Sequence, residues 1–433
     1  MPSVLIISEL FYPMNRIGAV RPTKLAKFLA LKKYNVTVFT SSDCLLYSNE
    51  KVSLPYRVIY ANNDENQQNN IIEKRASVNR DSKTASNSKK IRFDNSIVQE
   101  LKMTKRQFIL YKKGKDFLQL FCKYIDSRTI SLEDFDCVFS TFGPIGSLLC
   151  GLEAKKRYPS IVWINDFRDP MVSQIMPKSF APYYNYLQHK SIDLADHTIT
   201  VSEGYKKRLS FLKMRGNISV IPNGFDKDDI LIEDVVYDGK FSFAYVGALY
   251  EGKRDLSVLF SCLKSLIDEK ILDSNAVCFH YAGSEGDVII SQAKKFSLEG
   301  IICDHGLVNR QESIRIQSCV RFLVLSTWND KGEEGVFPGK LLEYMLIDKP
   351  VVSIVGGSLS NSEVTQVIRK MRLGISYEKA DLNTKKQLYM WLKKQAVQFV
   401  SGKNVLFNPD REAISRAYNW ESLVERFSEL ING

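Results

Sequence analysis

Lys340 and Glu343 stand three residues apart behind a loop that carries Gly335, Pro338 and Gly339, in the stretch Glu-Glu-Gly-Val-Phe-Pro-Gly-Lys-Leu-Leu-Glu-Tyr-Met-Leu-Ile-Asp-Lys-Pro (333–350). Glycine and proline favour a tight turn there, and Leu341, Leu342, Met345 and Leu346 recur at helical spacing, so a helix starts where the loop ends. A helix N-terminus offers unpaired backbone N–H groups and partial positive charge, to which Lys340 adds a full charge. Gly335, Lys340 and Leu341 are therefore candidate positions in a cradle for a nucleotide diphosphate. Glu343, on the same helix face, can accept hydrogen bonds from the paired hydroxyls of a ribose. An ordinary core-facing helix with Glu343 on its solvated side gives the same pattern.

Ligands of open α/β sheets bind beyond the carboxyl ends of the strands, so charged residues after each apolar run carry weight. Gly18 and Arg21 follow the first run, and an arginine at a helix start opposes the dipole unless an anion compensates it or solvent covers it. Asp166, Arg168 and Asp169 follow another run (Trp163-Ile164-Asn165-Asp166-Phe167-Arg168-Asp169-Pro170); unpaired, they cannot enter an apolar core, so they face a cleft or pair with one another. Gly247 precedes Lys253 and Arg254, whose charges suit a diphosphate, arginine bidentately. Gly283 and His305 end two further runs on the same side, His305 reaching a base through its backbone. Asp226-Lys227-Asp228 spells a metal motif of another fold, but its place after Asn223-Gly224 reads as a turn.

The elements that must position these residues form two series of short, nearly continuous apolar runs separated by helical patterns. The first comprises 4–7, 36–40, 137–141, 161–164, 198–201 and 218–221; the second comprises 241–246, 277–281, 301–303, 322–325 and 351–355. Such runs predict parallel sheets covered on both faces, hence two doubly wound Rossmann-like α/β domains facing a deep cleft. The expected boundaries are an N-terminal domain over 1–225 with a polar, basic insertion at 61–128, a second domain over 226–409, and a terminal helix over 410–433. Within the insertion, 62–94 reads as mobile, while 97–121 recovers helical character with interleaved lysines.

Composition sets the remaining bounds. Two domains is the natural prior for 433 residues, and 44% apolar with 25% charged residues is the balance of a globular chain. The N-terminus reads as a first strand rather than a leader, and no run approaches the roughly 20 apolar residues of a membrane span. Eight scattered cysteines without a C-x-x-C pair suggest a reducing cytoplasm, and four histidines without recognised ligand spacing argue against a metal. Net charge is +11, and between Tyr60 and Ile130 fifteen Lys and Arg face eight Asp and Glu, which invites an anionic partner. The basic helical stretch over 97–121 fits an anionic membrane surface, or packs on its own domain with its basic side outward.

The 333–350 stretch resembles the nucleotide-sugar signature of the retaining family 4 glycosyltransferases, which have the GT-B fold. The resemblance implies that the domain over 1–225 takes the acceptor, that the domain over 226–409 takes the nucleotide sugar, and that the terminal helix over 410–433 crosses back to the N-terminal domain. In that signature seven residues separate two glutamates; eight positions before Glu343 stands Gly335, and Glu334 is nine before, so Glu343 carries over and Glu334 does so poorly. The loop of Gly247, Lys253 and Arg254 resembles the family's diphosphate-binding loop, with Ala248 where an arginine is common. Asp166 to Pro170 resembles the Asp-x-Arg-Asp-Pro of a subgroup that makes surface polysaccharides. The resemblance implies sugar transfer from a nucleotide-diphosphate sugar to an acceptor hydroxyl, retaining and without a metal or other cofactor, with Asp166, Asp169 and Arg168 at the acceptor. It implies donor contacts from Gly18, Arg21, Gly247, Lys253, Arg254, Gly283, His305, Gly335, Lys340, Leu341 and Glu343. A polyprenyl-linked saccharide would be the acceptor, on the inner face of a membrane, with no nucleic acid as partner. A nucleotide-sugar epimerase of the same fold and a nucleic-acid binder are the competing readings, the second resting on the basic segment alone.

Overall fold

The computed structural model describes residues 1–14, 16–47, 53–62, 96–172, 176–210, 218–230 and 237–433. The stretch expected to be a mobile insertion lies from residue 63 on outside them. The described chain forms two compact units: Met1–Val201 with Tyr205–Asn223 and Trp420–Gly433, and Ser202–Gly204 with Gly224–Asn419.

The first unit is built on seven parallel strands: β1 (Ser3–Ile7), β2 (Asn35–Ser41), β3 (Arg57–Ala61), β4 (Cys137–Phe142), β5 (Val162–Phe167), β6 (His197–Thr200) and β7 (Ile218–Val220). Their order is β3-β2-β1-β4-β5-β6-β7. The strand order reverses between β1 and β4, and this topological switch opens a crevice between the loops at their carboxyl ends. One face packs Phe117, Phe121, Leu148, Trp163 and Ile192, the other Leu25, Leu29, Trp420, Leu423 and Phe427. The central strands are buried on both faces, which is why they read as unbroken apolar runs.

Helix Ser96–Asp126 carries the basic segment and packs on its own unit, as one of the two readings has it. Its C-terminal half is anchored, with Phe117 and Phe121 packed on Phe39 of β2 at 5.1 and 5.2 Å between ring centroids. Its N-terminal half exposes Leu101, Phe108, Ile109 and Leu110 among lysines.

The second unit has six parallel strands: β8 (Phe241–Val246), β9 (Val277–Ala282), β10 (Ile302–Asp304), β11 (Phe322–Trp328), β12 (Val351–Gly356) and β13 (Gly374–Glu378). Their order is β10-β9-β8-β11-β12-β13. Helices Ser257–Asp268, Gly286–Lys294 and Asn383–Val400 cover one face, and Arg310–Cys319, Gly339–Ile347 and Glu363–Lys370 the other.

The helical spacing over 410–430 resolves into two helices that go to different units. Arg411–Tyr418 packs Ile414 and Tyr418 on the second sheet, and Trp420–Asn432 packs on the first. The return to the first unit therefore starts at residue 420, because extended backbone at Asn419 breaks the helix. Among the described residues no helix is long and apolar enough to cross a membrane.

Candidate functional site

β8 and β11 are neighbours in the second sheet, so the loops at their carboxyl ends open side by side. The loop after β8 brings Lys253 Nζ 4.1 Å over the ring of Trp328, the last residue of β11, and Arg254 to 5.6 Å from the same ring. Lys253 also pairs with Glu333 at 3.2 Å. Arg254 lies 4.6 Å from the ring of Tyr250 and donates through Nη1 to Tyr245 Oη and the Ala248 carbonyl, each at 3.1 Å. Its Nε and the indole Nε1 of Trp328 are buried with no hydrogen-bond partner. Two cations against one indole, of which Lys253 is paired with Glu333, together with two unanswered donors, make a local surplus of positive charge that an anion would satisfy.

The loop owes its shape to Glu285. Its carboxylate accepts from the backbone N–H groups of Leu249 at 2.5 Å, Tyr250 at 3.2 Å and Glu251 at 2.7 Å, folding the chain so that Lys253 and Arg254 project together. Gly283 makes the neighbouring loop possible: a Cβ there would meet Tyr281 Oη at 2.3 Å and the Gly247 carbonyl at 2.6 Å.

One turn into helix Gly339–Ile347, Glu343 accepts from Lys340 Nζ at 2.7 Å, Gln317 Nε2 at 2.9 Å and Arg310 Nη1 at 3.3 Å. Its side chain is only 10% exposed, so these donors decide which way the carboxylate points. Burial pushes the hydroxyl of the adjacent Tyr344 well above its usual range; Glu343 raises it further and Arg254 lowers it, so one phenol senses both charges. Pro338 supplies no side-chain cap to the helix, leaving its first turn served by backbone alone.

Three of the donor-site candidates have backbone groups already engaged within the fold. Leu341 is fully buried and its N–H is taken by the Pro338 carbonyl at 3.0 Å, so it is a core residue. The His305 N–H is likewise taken, by the Tyr281 carbonyl at 2.8 Å, and its ring meets His280. Gly335 is a left-handed turn residue at φ 81° whose carbonyl accepts from Ser202 Oγ at 2.9 Å.

In the first unit the charges after β5 are largely consumed by one another. Arg21 meets Asp166 through Nε and Nη2 at 3.0 Å, and also donates to the carbonyls of Ile221 and Pro222 at 3.0 and 2.9 Å. Thr141 Oγ1 gives Asp166 a further donor at 2.8 Å. Both partners are buried, at 2% and 0% exposure, so Asp166 rather than a bound anion compensates Arg21, and Asp166 has no free face for an acceptor hydroxyl. Arg168 donates to the carbonyls of Phe142, Gly18 and Gly143, tying two loops to a helix start, and burial lowers its pKa against the pull of Asp166 and Asp169. Gly18 is thus close to Arg168, whose Nη1 would lie 3.1 Å from a Cβ at that position. Asp169 alone of the three is exposed.

Glu9, just past β1, sits against the start of helix Ile145–Arg157, where a Cβ on Gly146 would fall 2.5 Å from its Oε1 and 3.0 Å from Gly114 Cα. Burial pushes its carboxyl up to about 7, although the N–H groups of Gly146 and Ser147 and the charge of Lys113 lower it. The folded pKa is raised, so this group's stabilisation is complete below the unfolded value near 4.5 and is lost as pH rises through about 7. Glu9→Gln is expected to match the wild type in urea unfolding at pH 4.5 and to exceed it at pH 8 by on the order of 2–3 kcal/mol. An offset that is the same at both pH values would contradict the buried carboxyl.

Trp328, Glu285, Arg310 and Gln317 had no signal in the sequence; each joins its partners across the fold.

Residues 101–229 match the family model of Glycosyltransferase Family 4, which is less than half of the chain. No curated protein matches. Among solved structures, an apo structure of OtsA is 12% identical with a TM-score of 0.59, covering 100% of this chain and 99% of that one. A structure of trehalose-6-phosphate from E. coli bound with UDP-2-fluoro glucose is 13% identical with a TM-score of 0.58, covering 100% of this chain and 99% of that one. A glycosyltransferase from Rickettsia africae ESF-5 is 13% identical at 0.56, covering 100% and 98%. At these identities the likeness establishes the fold, which is GT-B.

Proposed function

We propose that the chain is a retaining, metal-independent glycosyltransferase that moves a sugar from a nucleotide-diphosphate sugar to an acceptor hydroxyl, with a polyprenyl-linked saccharide of surface polysaccharide assembly as the acceptor. The observation that carries this reading is the convergence of Lys253 and Arg254 on Trp328 beside the Lys340–Glu343 helix start. Sugar transfer makes two electrostatic demands: a departing diphosphate must be neutralised, and an oxocarbenium-like centre develops as it leaves. Lys253, Arg254 and Lys340 supply the positive charge without an ion, and Glu343 grips the ribose. The family match and the nucleotide-sugar complex of one fold neighbour support the same reading. On the acceptor side Asp169 is the carboxylate with a free face, and Arg168 holds its loop. The exposed apolar and basic half of helix Ser96–Asp126 lies on an anionic membrane surface, presenting a lipid-linked acceptor.

The test is a thermal-shift screen of UDP, GDP, ADP and CMP and their sugars, since a ligand stabilises the state that binds it. One nucleoside diphosphate and its sugar should raise the melting temperature, and Lys253→Ala should weaken that nucleoside diphosphate about tenfold, the loss of one charge-assisted bond at a half-exposed site. No shift with any of them sinks the proposal. Epimerisation of the donor in the absence of acceptor sinks the transfer step but not the binding.

A further inference from the structure

We propose that His280, Cys303 and His305 hold one borderline-soft divalent metal ion of the zinc class, through side chains that the activity proposed above does not use. The sequence contains the same Cys-x-His triplet twice: Cys278-Phe279-His280 on β9 and Cys303-Asp304-His305 at the end of β10. In a strand, alternate residues share a face, so each triplet turns its sulfur and its imidazole to the same side. The other side is spoken for, since Phe279, Tyr281 and Ile302 pack into the core beneath helices Ser257–Asp268 and Gly286–Lys294. The parallel register sets Cys303 directly beside His280, which merges the two triplets into one cluster.

The distances fit a metal's donor set. His280 Nδ1 and His305 Nε2 are 2.9 Å apart, and Cys303 Sγ is 3.5 Å from the same Nε2. Tetrahedral zinc, with bonds of about 2.0–2.1 Å to nitrogen and 2.3 Å to sulfur, has edges of about 3.3 Å between nitrogens and 3.6 Å between nitrogen and sulfur. The N–S edge is already in place, and the N–N edge needs a few tenths of an ångström. The second nitrogen of His280 has the partner a ligand histidine requires: its Nε2 lies 3.2 Å from Asp238 Oδ2. A carboxylate there holds the proton on Nε2, so that an ion displacing the proton of Nδ1 would find that nitrogen already oriented as a ligand. Cys278 Sγ also meets Nε2, at 3.3 Å, and so lies on the Asp238 side of the ring, away from the proposed ion. All eight cysteines are free, so no disulfide competes for the thiol. β10 is a three-residue edge strand, and an ion shared between it and β9 would clip the sheet's edge shut.

The competing account is a hydrogen-bonded pair of imidazoles, whose rings stack at 5.2 Å with 15° between planes. Cobalt separates the two. Chelator-stripped, reduced protein titrated with Co2+ should bind one equivalent and develop the intense visible bands of a tetrahedral ion with a near-ultraviolet thiolate-to-cobalt band. Stoichiometric Zn2+ should bleach both. Cys303→Ser should lose the thiolate band, His305→Ala should weaken Co2+ at least tenfold, and Cys278→Ser should keep the wild-type spectrum. Only the weak bands of a six-coordinate ion, or Cys303→Ser and His305→Ala variants that bind as the wild type does, would overturn the site. Should those variants fail to fold, alkylation of the wild type read by mass spectrometry decides: one equivalent of Zn2+ protects Cys303, and an unprotected Cys303 overturns the proposal.

Discussion

Glu343→Ala should abolish the thermal stabilisation given by the best nucleotide sugar while leaving the protein folded. A carboxylate that accepts from two ribose hydroxyls makes two charge-assisted bonds, at about 1.5–3 kcal/mol each. Losing both costs about 3 kcal/mol or more, which is at least a hundredfold in affinity. One effect opposes this: the substitution frees Lys340, now paired with Glu343 at 2.7 Å, to turn toward a phosphate. Lys340 is 35% exposed, so that release gains at most about 1 kcal/mol, and the loss wins. The fold should tolerate the change, because Gln317 keeps its bonds to the Ser313 carbonyl and hydroxyl at 2.8 and 3.0 Å. Melting curves with and without ligand, for Glu343→Ala and the near-isosteric Glu343→Gln, give the answer; a wild-type shift in both variants would remove Glu343 from the donor site.

Arg21→Ala should be the most destabilising single substitution on the acceptor side, at about 3–5 kcal/mol, because it strands a fully buried Asp166 carboxylate. It also leaves the carbonyls of Ile221 and Pro222 without their donor. The cost belongs to the unpaired charge more than to the pair itself, so Arg21→Ala combined with Asp166→Asn should recover part of it. Urea unfolding of the two single variants and the double variant closes the cycle. Additive effects would mean that the two groups do not interact, contrary to their bidentate contact. Asp169→Asn offers the contrast: its carboxylate is exposed, so stability should change little.

The interior strands were legible because both their faces are buried. 241–246 and 351–355 were read from unbroken apolar runs, and β8 and β12 lie there. β3 and β13 were not read: Arg57–Ala61 and Gly374–Glu378 are edge strands with mixed burial, and alternation over five residues is a weak signal. Of the candidate site, the helix start bearing Lys340 and Glu343 was readable, since residues three apart on a helix must be neighbours. Arg21 was recognised as a cation needing compensation, but its partner lies 145 residues away. The repeated Cys-x-His was in plain view, and only the β9–β10 register gives it meaning.

What the sequence determined by itself was local: the period of apolar residues, the turn residues and the charges at strand ends, because backbone geometry over a few residues follows from side-chain size, branching and solvation. What tertiary structure alone decided was which of those charges remain free. Asp166 and Arg168 are spent on holding the first unit together, whereas Lys253 and Arg254 are gathered on Trp328 by a glutamate more than thirty residues further along the chain. A buried charge must find a partner, and a sheet brings partners together across any distance in sequence, so the same residue types become scaffold in one unit and a candidate binding site in the other.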